Sequence, residues 1–205
     1  MARGARGGRR PRPPGAAICA HLTASPFWNS ATTVGAYLAA PRLREVDPGA
    51  AVRAALERRA PTMFVPVVGG APASMRLLHL DAEGGLVETK PFGIREPAPC
   101  YAGSSTPRRD ALDAGLDLLL LPGAAFDAAG GRLGRGGGYY DAFVAAAAAA
   151  AAARGVAPPL LVGLAFAAQV CPSVPVEAHD ARLDVLVTAG GAAGVSERGR
   201  RAVRG

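Results

Sequence analysis

The chain has 205 residues, half of them apolar, enough to bury one generous core without disulfides or metal. Its formal charge of +7 sits at the ends: Arg3, Arg6, Arg9, Arg10 and Arg12 open it, and Arg198, Arg200, Arg201 and Arg204 close it. Between those ends 14 basic side chains face 15 acidic ones, which argues against a nucleic-acid-binding body and assigns the basic character to two tails.

Residues 1–30 read as a basic Pro/Gly/Arg-rich tail, 31–190 as the folded domain and 191–205 as a second basic Gly/Arg-rich tail. The start "MARGARGGRRPRPPGAA" is arginine-rich and free of acid, as organellar transit peptides are, yet poor in serine and broken by proline. It reads either as an import segment of a mitochondrial or other organellar protein, or as the tail of a cytoplasmic one. Within the domain "TTVGAYLAA" (32–40) predicts a strand, and "DPGAAVRAALERR" (47–59) a helix with Asp47 as N-cap and Pro48 at its first position. "TMFVPVV" (62–68) and "MRLLHL" (75–80) read as strands joined by the turn "GGAPAS". "DLLLLPG" (117–123) is a fully buried strand halted by Pro122 and Gly123, and "YYDAFVAAAAAAAAAR" (139–154) a helix. "PLLVGLAF" (159–166) and "LDVLVT" (183–188) add two buried strands. Strands alternating with helices predict an α/β layer sandwich with a largely parallel sheet.

Cys19, Cys100 and Cys171 are odd in number and far apart, which suits neither a disulfide framework nor a zinc site. No apolar run approaches the roughly 20 residues of a spanning helix, so no membrane partner is expected.

Chemistry concentrates in "GGRLGRGGGYYDAF" (130–143), where six glycines and two arginines fill nine residues between a buried strand and a helix. Such a stretch is either a mobile Arg/Gly loop or a phosphate cradle. In open α/β sheets ligands gather beyond the carboxyl ends of the strands, where glycines admit phosphate oxygens to backbone N–H groups and arginine forks grip them. The stretch is not a Walker loop, for it lacks GK[ST], and it does not keep the dinucleotide GxGxxG register.

"DLLLLPGAAFDAAGGRLGRGGGYYDAF" resembles the ATP-binding signature of the 5-formyltetrahydrofolate cyclo-ligase family. "AYLAAPRLREVDP", "FVPV…MRLLHL", "KPFGIREP" and "LLVGLAFAAQVCPSVPVEAHDARLDVLVT" resemble further family segments in the right order, over about residues 33 to 190. The resemblance implies a three-layer α/β sandwich with a mostly parallel central sheet, of the CoA-transferase-like kind, and makes 31–190 a catalytic domain. It implies closure of 5-formyltetrahydrofolate, with or without a polyglutamate tail, to 5,10-methenyltetrahydrofolate by a monomer. ATP is the co-substrate, Mg2+ the cofactor, and ADP and phosphate are released. In the family's mechanism ATP phosphorylates the formyl oxygen, N10 attacks the activated carbon and phosphate leaves. No protein nucleophile is needed, only positioning and charge neutralisation.

By matching motif positions, Arg132, Leu133, Gly134, Arg135, Gly136, Gly137, Gly138, Tyr139 and Tyr140 would bind ATP. Arg132 and Arg135 would neutralise phosphate, and Arg135 and Tyr139 would be catalytic. Leu38, Glu45 and the loop residues Arg135, Gly136, Gly137, Gly138 and Tyr139 would contact the folate, with Tyr37, Met75 and Phe92 as pocket walls. Asp141 and Asp180 would bind Mg2+ through the oxygen ligands it prefers, leaving His179 a bystander. The family's opening helix carries a lysine and arginines that reach ATP and substrate. Here the corresponding "RGGRRPRPPGAAICAHL" has no lysine and is too rich in proline and glycine to form that helix, so either Arg9, Arg10 or Arg12 substitutes or the chain start is truncated or misassigned. The alternative function keeps the fold and loses the activity, the basic tails binding RNA or an acidic partner.

Overall fold

The computed structural model describes residues 14–39, 43–69, 74–82, 86–89, 94–177 and 180–205. Arg9, Arg10, Arg12, Phe92 and His179 lie outside the described residues. In chain order the elements are α1 (Pro14–Ala24), α2 (Pro26–Ser30), β1 (Thr33–Gly35), α3 (Gly49–Arg58), β2 (Thr62–Val68) and β3 (Met75–Leu80). A hairpin of β4 (Leu86–Thr89) and β5 (Ile94–Pro97) follows, then α4 (Ala111–Ala114), β6 (Leu118–Leu121) and a short hairpin of β7 (Ala125–Phe126) and β8 (Arg132–Leu133). The chain closes with α5 (Tyr139–Ala153), β9 (Leu160–Leu164), β10 (Val185–Thr188), β11 (Gly191–Gly194) and α6 (Glu197–Arg204).

Seven strands form one sheet in the order β11-β10-β9-β6-β1-β2-β3. The five inner strands run parallel, and β11 and β3 pair antiparallel at the edges. The four leucines of β6 explain the layering, because alternate side chains of a strand point to opposite faces. Leu118 and Leu120 join Val34, Met63, Val65, Val162, Val185 and Val187 on the face covered by α1, α2 and α3, where Ile18, Leu22, Trp28 and Val52 meet them. Leu119 and Leu121 join Phe64, Leu161 and Leu186 on the other face, against Ala111 of α4 and Phe143 and Ala147 of α5. A strand buried on both faces must be apolar throughout, and each such leucine contributes about 1.5–3 kcal/mol. The result is the expected three-layer α/β sandwich with a mostly parallel sheet. The alanine-rich helix packs by a stripe of Phe143, Ala147 and Ala151, one buried residue per turn, and only the first is large.

The expected strands 62–68 and 75–80 form over those residues. The expected strand 32–40 is paired only over 33–35. Gly35 keeps β1 close to its neighbours, because a Cβ there would lie 2.7 Å from Leu119 and Leu77 side-chain atoms. Helix α3 begins at Gly49 with Pro48 as its cap residue, and Asp47 instead accepts the Gly49 N–H at 2.8 Å.

Both expected tails carry ordered elements. Residues 14–30 form α1 and α2, with Ile18, Leu22, Phe27 and Trp28 in the core. Proline did not prevent α1, because Pro14 occupies its first residue, where proline is tolerated and no N–H is missed. Residues 191–204 supply β11 and α6. Ser196 caps α6 by accepting the Gly199 N–H at 2.9 Å, and its hydroxyl donates to Asp184 at 2.6 Å. A Cβ on Gly199 would fall 1.7 Å from the Asp184 carbonyl oxygen, so this contact requires glycine.

Candidate active site

The carboxyl ends of the parallel strands deliver three segments to one edge of the sheet: 36–39 with 43–48 after β1, 122–138 after β6, and 165–177 with 180–184 after β9. The second contains the glycine-rich stretch, and its first half is tied down. Asp127, 5% exposed, accepts the N–H groups of Ala129 at 2.9 Å and Gly131 at 2.8 Å through Oδ1, and that of Val174 at 2.8 Å through Oδ2. Burial pushes its carboxyl upward, but the N–H groups of Gly131, Val174 and Ala129 outweigh that and hold it below the usual aspartate value. Gln169 adds a second staple, its Nε2 donating to the Gly123 carbonyl at 2.8 Å while its Oε1 accepts the Phe166 N–H at 2.9 Å.

The turn at Asp127 sends Arg132 inward. Its side chain is 4% exposed, with Nη2 2.7 Å from Asp141 Oδ1 and Nη1 3.3 Å from the Pro122 carbonyl, while Nε is buried with no partner among the described residues. Arg132 is therefore a buried counter-charge to Asp141 in the first turn of α5. Asp141 Oδ1 also accepts the Ala181 N–H at 3.2 Å, so the residue following Asp180 is drawn to Asp141. Asp180 in turn accepts the Glu177 N–H at 2.7 Å. The two carboxylates expected to share a metal thus come from segments joined at this edge. Among the described residues no group of three or more His, Cys, Asp or Glu could hold a metal.

The second half of the loop is open. Leu133, Arg135, Gly136, Gly137 and Gly138 are exposed, and Gly134, Tyr139 and Tyr140 are half-buried. Gly136 and Gly138 take φ of 79° and 65°, and Gly138 is the cap residue of α5. A Cβ on Gly137 would meet the Tyr139 ring at 2.7 Å, so the ring lies against bare backbone. Arg135 reaches back to the segment after β1: Nη2 donates to the Leu43 carbonyl, and Nε lies 3.6 Å from Glu45 Oε1.

Glu45 is the meeting point. Its side chain is 8% exposed, and burial raises its carboxyl above the usual value against the opposing pull of Arg135. Its charge in turn acts on two tyrosines. Burial first and Glu45 second push both the Tyr37 and Tyr140 phenols well above their usual range. Tyr37 donates its hydroxyl to the Val46 carbonyl, and Leu38 packs against the first core face. Met75 packs against the second core face, so its side chain serves the core.

The residues joined here are Arg135, Glu45, Tyr37 and Tyr140 on one side, and Arg132, Asp141 and the backbone beside Asp180 on the other. Asp127 and Gln169 were missed by sequence reasoning as site-building residues. An aspartate three and four residues before a Gly-Gly pair, "FDAAGG", is the available signal for an Asx-type turn.

Comparison with known proteins identifies the family. The model of the 5-formyltetrahydrofolate cyclo-ligase family matches residues 8–189. The mitochondrial 5-formyltetrahydrofolate cyclo-ligase of Arabidopsis thaliana is 35% identical over 182 residues, 85% of this chain and 65% of that protein. The 5-formyltetrahydrofolate cyclo-ligase of Mus musculus is 42% identical over 86 residues, 42% of this chain and 40% of that protein. The chain therefore spans less than two thirds of the length of either relative. The NMR structure of Aquifex aeolicus 5,10-methenyltetrahydrofolate synthetase superposes with a TM-score of 0.68 at 27% identity, covering 89% of this chain and 81% of that one. A 5,10-methenyltetrahydrofolate synthetase from Mycoplasma pneumoniae, 17% identical with a TM-score of 0.55, shares the fold. The chain belongs to the 5-formyltetrahydrofolate cyclo-ligase family.

Proposed function

We propose that the chain catalyses ATP-dependent cyclisation of 5-formyltetrahydrofolate to 5,10-methenyltetrahydrofolate. The formyl oxygen takes the γ-phosphoryl group of ATP and ADP leaves. N10 then forms a bond to the activated formyl carbon, the carbon–oxygen bond to phosphate breaks, and the N10 proton is lost. The observation that carries this reading is the reach of Arg135 from the glycine-rich loop to Glu45, which joins a phosphate-type loop to an acid able to accept pterin N–H groups. Arg135 is the exposed cation at the phosphates, and Gly134, Gly136, Gly137 and Gly138 offer backbone N–H groups beside the N-terminus of α5. Arg132 and Leu133 bound the loop on its other side. Tyr140, its phenol pushed well above its usual range by burial and then by Glu45, acts as a hydroxyl donor and not as a base, while the Tyr139 ring walls the loop against the Gly137 backbone. Leu38 closes the folate pocket next to Glu45.

Asp141 and Asp180 suit Mg2+ because both are hard oxygen donors brought to one edge, and two carboxylates leave most of an octahedral shell to phosphates and water. When bound, the ion neutralises phosphate charge; Arg132 already holds one Asp141 oxygen and so orients the other. We take the protein as a monomer, with the arginine-rich start either an import segment, in keeping with the mitochondrial name of the Arabidopsis relative, or the tail of a cytoplasmic protein. The test is release of ADP and phosphate that requires 5-formyltetrahydrofolate. One ADP per methenyl product is expected, and ADP release indifferent to folate would refute the reading.

A further inference from the structure

Asp127 is the least exposed acid among the described residues and forms no salt bridge with a described cation, although the charge of Arg182 acts on it. Its charge is carried by backbone donors from two limbs of the site. Oδ1 binds Ala129 and Gly131, the turn that delivers Arg132, and through Arg132 it sets Asp141. Oδ2 binds Val174, in the segment that runs on to Asp180. Neighbouring contacts follow the same seam: the Cys171 N–H donates to the Phe126 carbonyl at 2.8 Å, and the Leu183 N–H to the Gly130 carbonyl at 2.9 Å. Gly131 leaves no alternative packing, since a Cβ there would lie 2.5 Å from Asp127 Oδ2.

We propose that Asp127 is a positioning residue whose carboxylate, shared between the two limbs, sets the distance between the Arg132–Asp141 pair and the Asp180 segment, and so governs nucleotide affinity without touching nucleotide. The proposal rests on the assignment of the loop to Mg·ATP. A buried carboxylate suits this task because it accepts from both sides at once and charge strengthens each bond. Its nearest replacement cannot do the same. In D127N the amide oxygen keeps Ala129 and Gly131, while the amide NH2 confronts the Val174 N–H as donor against donor. That substitution therefore keeps the turn and cuts the cross-link.

The experiment compares wild type, D127N and V174P by steady-state kinetics with ATP, Mg2+ and 5-formyltetrahydrofolate varied in turn, alongside thermal melts. D127N is expected to raise the KM for ATP and the Mg2+ requirement about tenfold or more. The KM for the folate should stay within about twofold, the split that marks a nucleotide-side effect. V174P, which removes the donor and leaves the carboxylate, should reproduce the nucleotide effect, and the double variant should add nothing further. A folded D127N with wild-type ATP and Mg2+ dependence overturns the proposal, as do equal rises in both KM values that merely track a lower melting temperature. If D127N does not fold, V174P decides by the same criteria. A wild-type protein that forms no ATP-dependent product overturns the underlying functional assignment instead, and the proposal with it.

Discussion

Gly130 and Gly131 precede Arg132, and Gly136 to Gly138 follow Arg135, yet the two glycine clusters face different surroundings. The first is buried: Gly130 takes φ of 83° and a Cβ on it would lie 2.7 Å from the Leu183 carbonyl, while one on Gly131 would strike Asp127. The second is exposed, and a Cβ on Gly136 would meet nothing within 4 Å. Glycine in the first cluster makes room for the protein's own atoms. In the second, Gly136 faces open space, and Gly137 makes room for a protein group, the Tyr139 ring. One loop thus has a fixed half that builds the site and an exposed half, the one proposed to receive ligand.

Substitutions should separate these halves. G131A must displace the Asp127 carboxylate, and a loss of about 3 kcal/mol in urea unfolding is expected, near the upper end for overpacking. R132M leaves Asp141 without its counter-charge. Full burial of such a pair would predict 3–5 kcal/mol, but Asp141 is 20% exposed, so about 2 kcal/mol is expected, again by urea unfolding. R135A removes an exposed side chain and should change stability by no more than about 0.5 kcal/mol. Its kcat/KM should nevertheless fall about 100-fold, the scale of a lost charge-stabilising donor. A stability loss in R135A as large as that in G131A would erase the distinction between the halves.

The smallest effects are in pH dependence and have opposite signs. Asp127 lies below its usual value, so its contribution to stability is full above the unfolded aspartate value of about 4 and is lost as pH falls through the folded value. Glu45 lies above its usual value, so its contribution is full below about 4 and is lost as pH rises through the folded value. Urea melts from pH 3 to 7, estimated from these reference values, should therefore show D127N flattening the acid limb and E45Q the rise side. Identical profiles for the two variants would contradict the assigned environments.

Elements made by apolar pattern were legible in the sequence. "TMFVPVV", "MRLLHL" and the four leucines of β6 announce strands buried on one or both faces, and α5 follows from alanine propensity. What escaped was structure made by close approach and capping. Helix α6 reads as a charged tail until Gly199 is seen against Asp184, although Ser196 before Glu197 is a helix-start signal available in the sequence. Helix α1 reads as proline-broken because the prolines were counted without their position at its first turn. In the site, the motif named Arg132 and Asp141 as separate contacts of one ligand, and their pairing with each other needed the fold. Asp127 was invisible for a simpler reason: an acid in a glycine-rich loop reads as surface, and only its three N–H partners make burial tolerable.

The most direct test follows the near-ultraviolet absorbance of the methenyl product in a mixture of 5-formyltetrahydrofolate, Mg·ATP and purified protein. A rise that needs ATP is predicted for the wild type, together with its near-abolition in R135A at an unchanged melting temperature. A folded wild-type protein that gives no ATP-dependent rise, or an R135A variant that gives the full rise, would contradict the assignment of the open half of the loop to ATP-driven cyclisation.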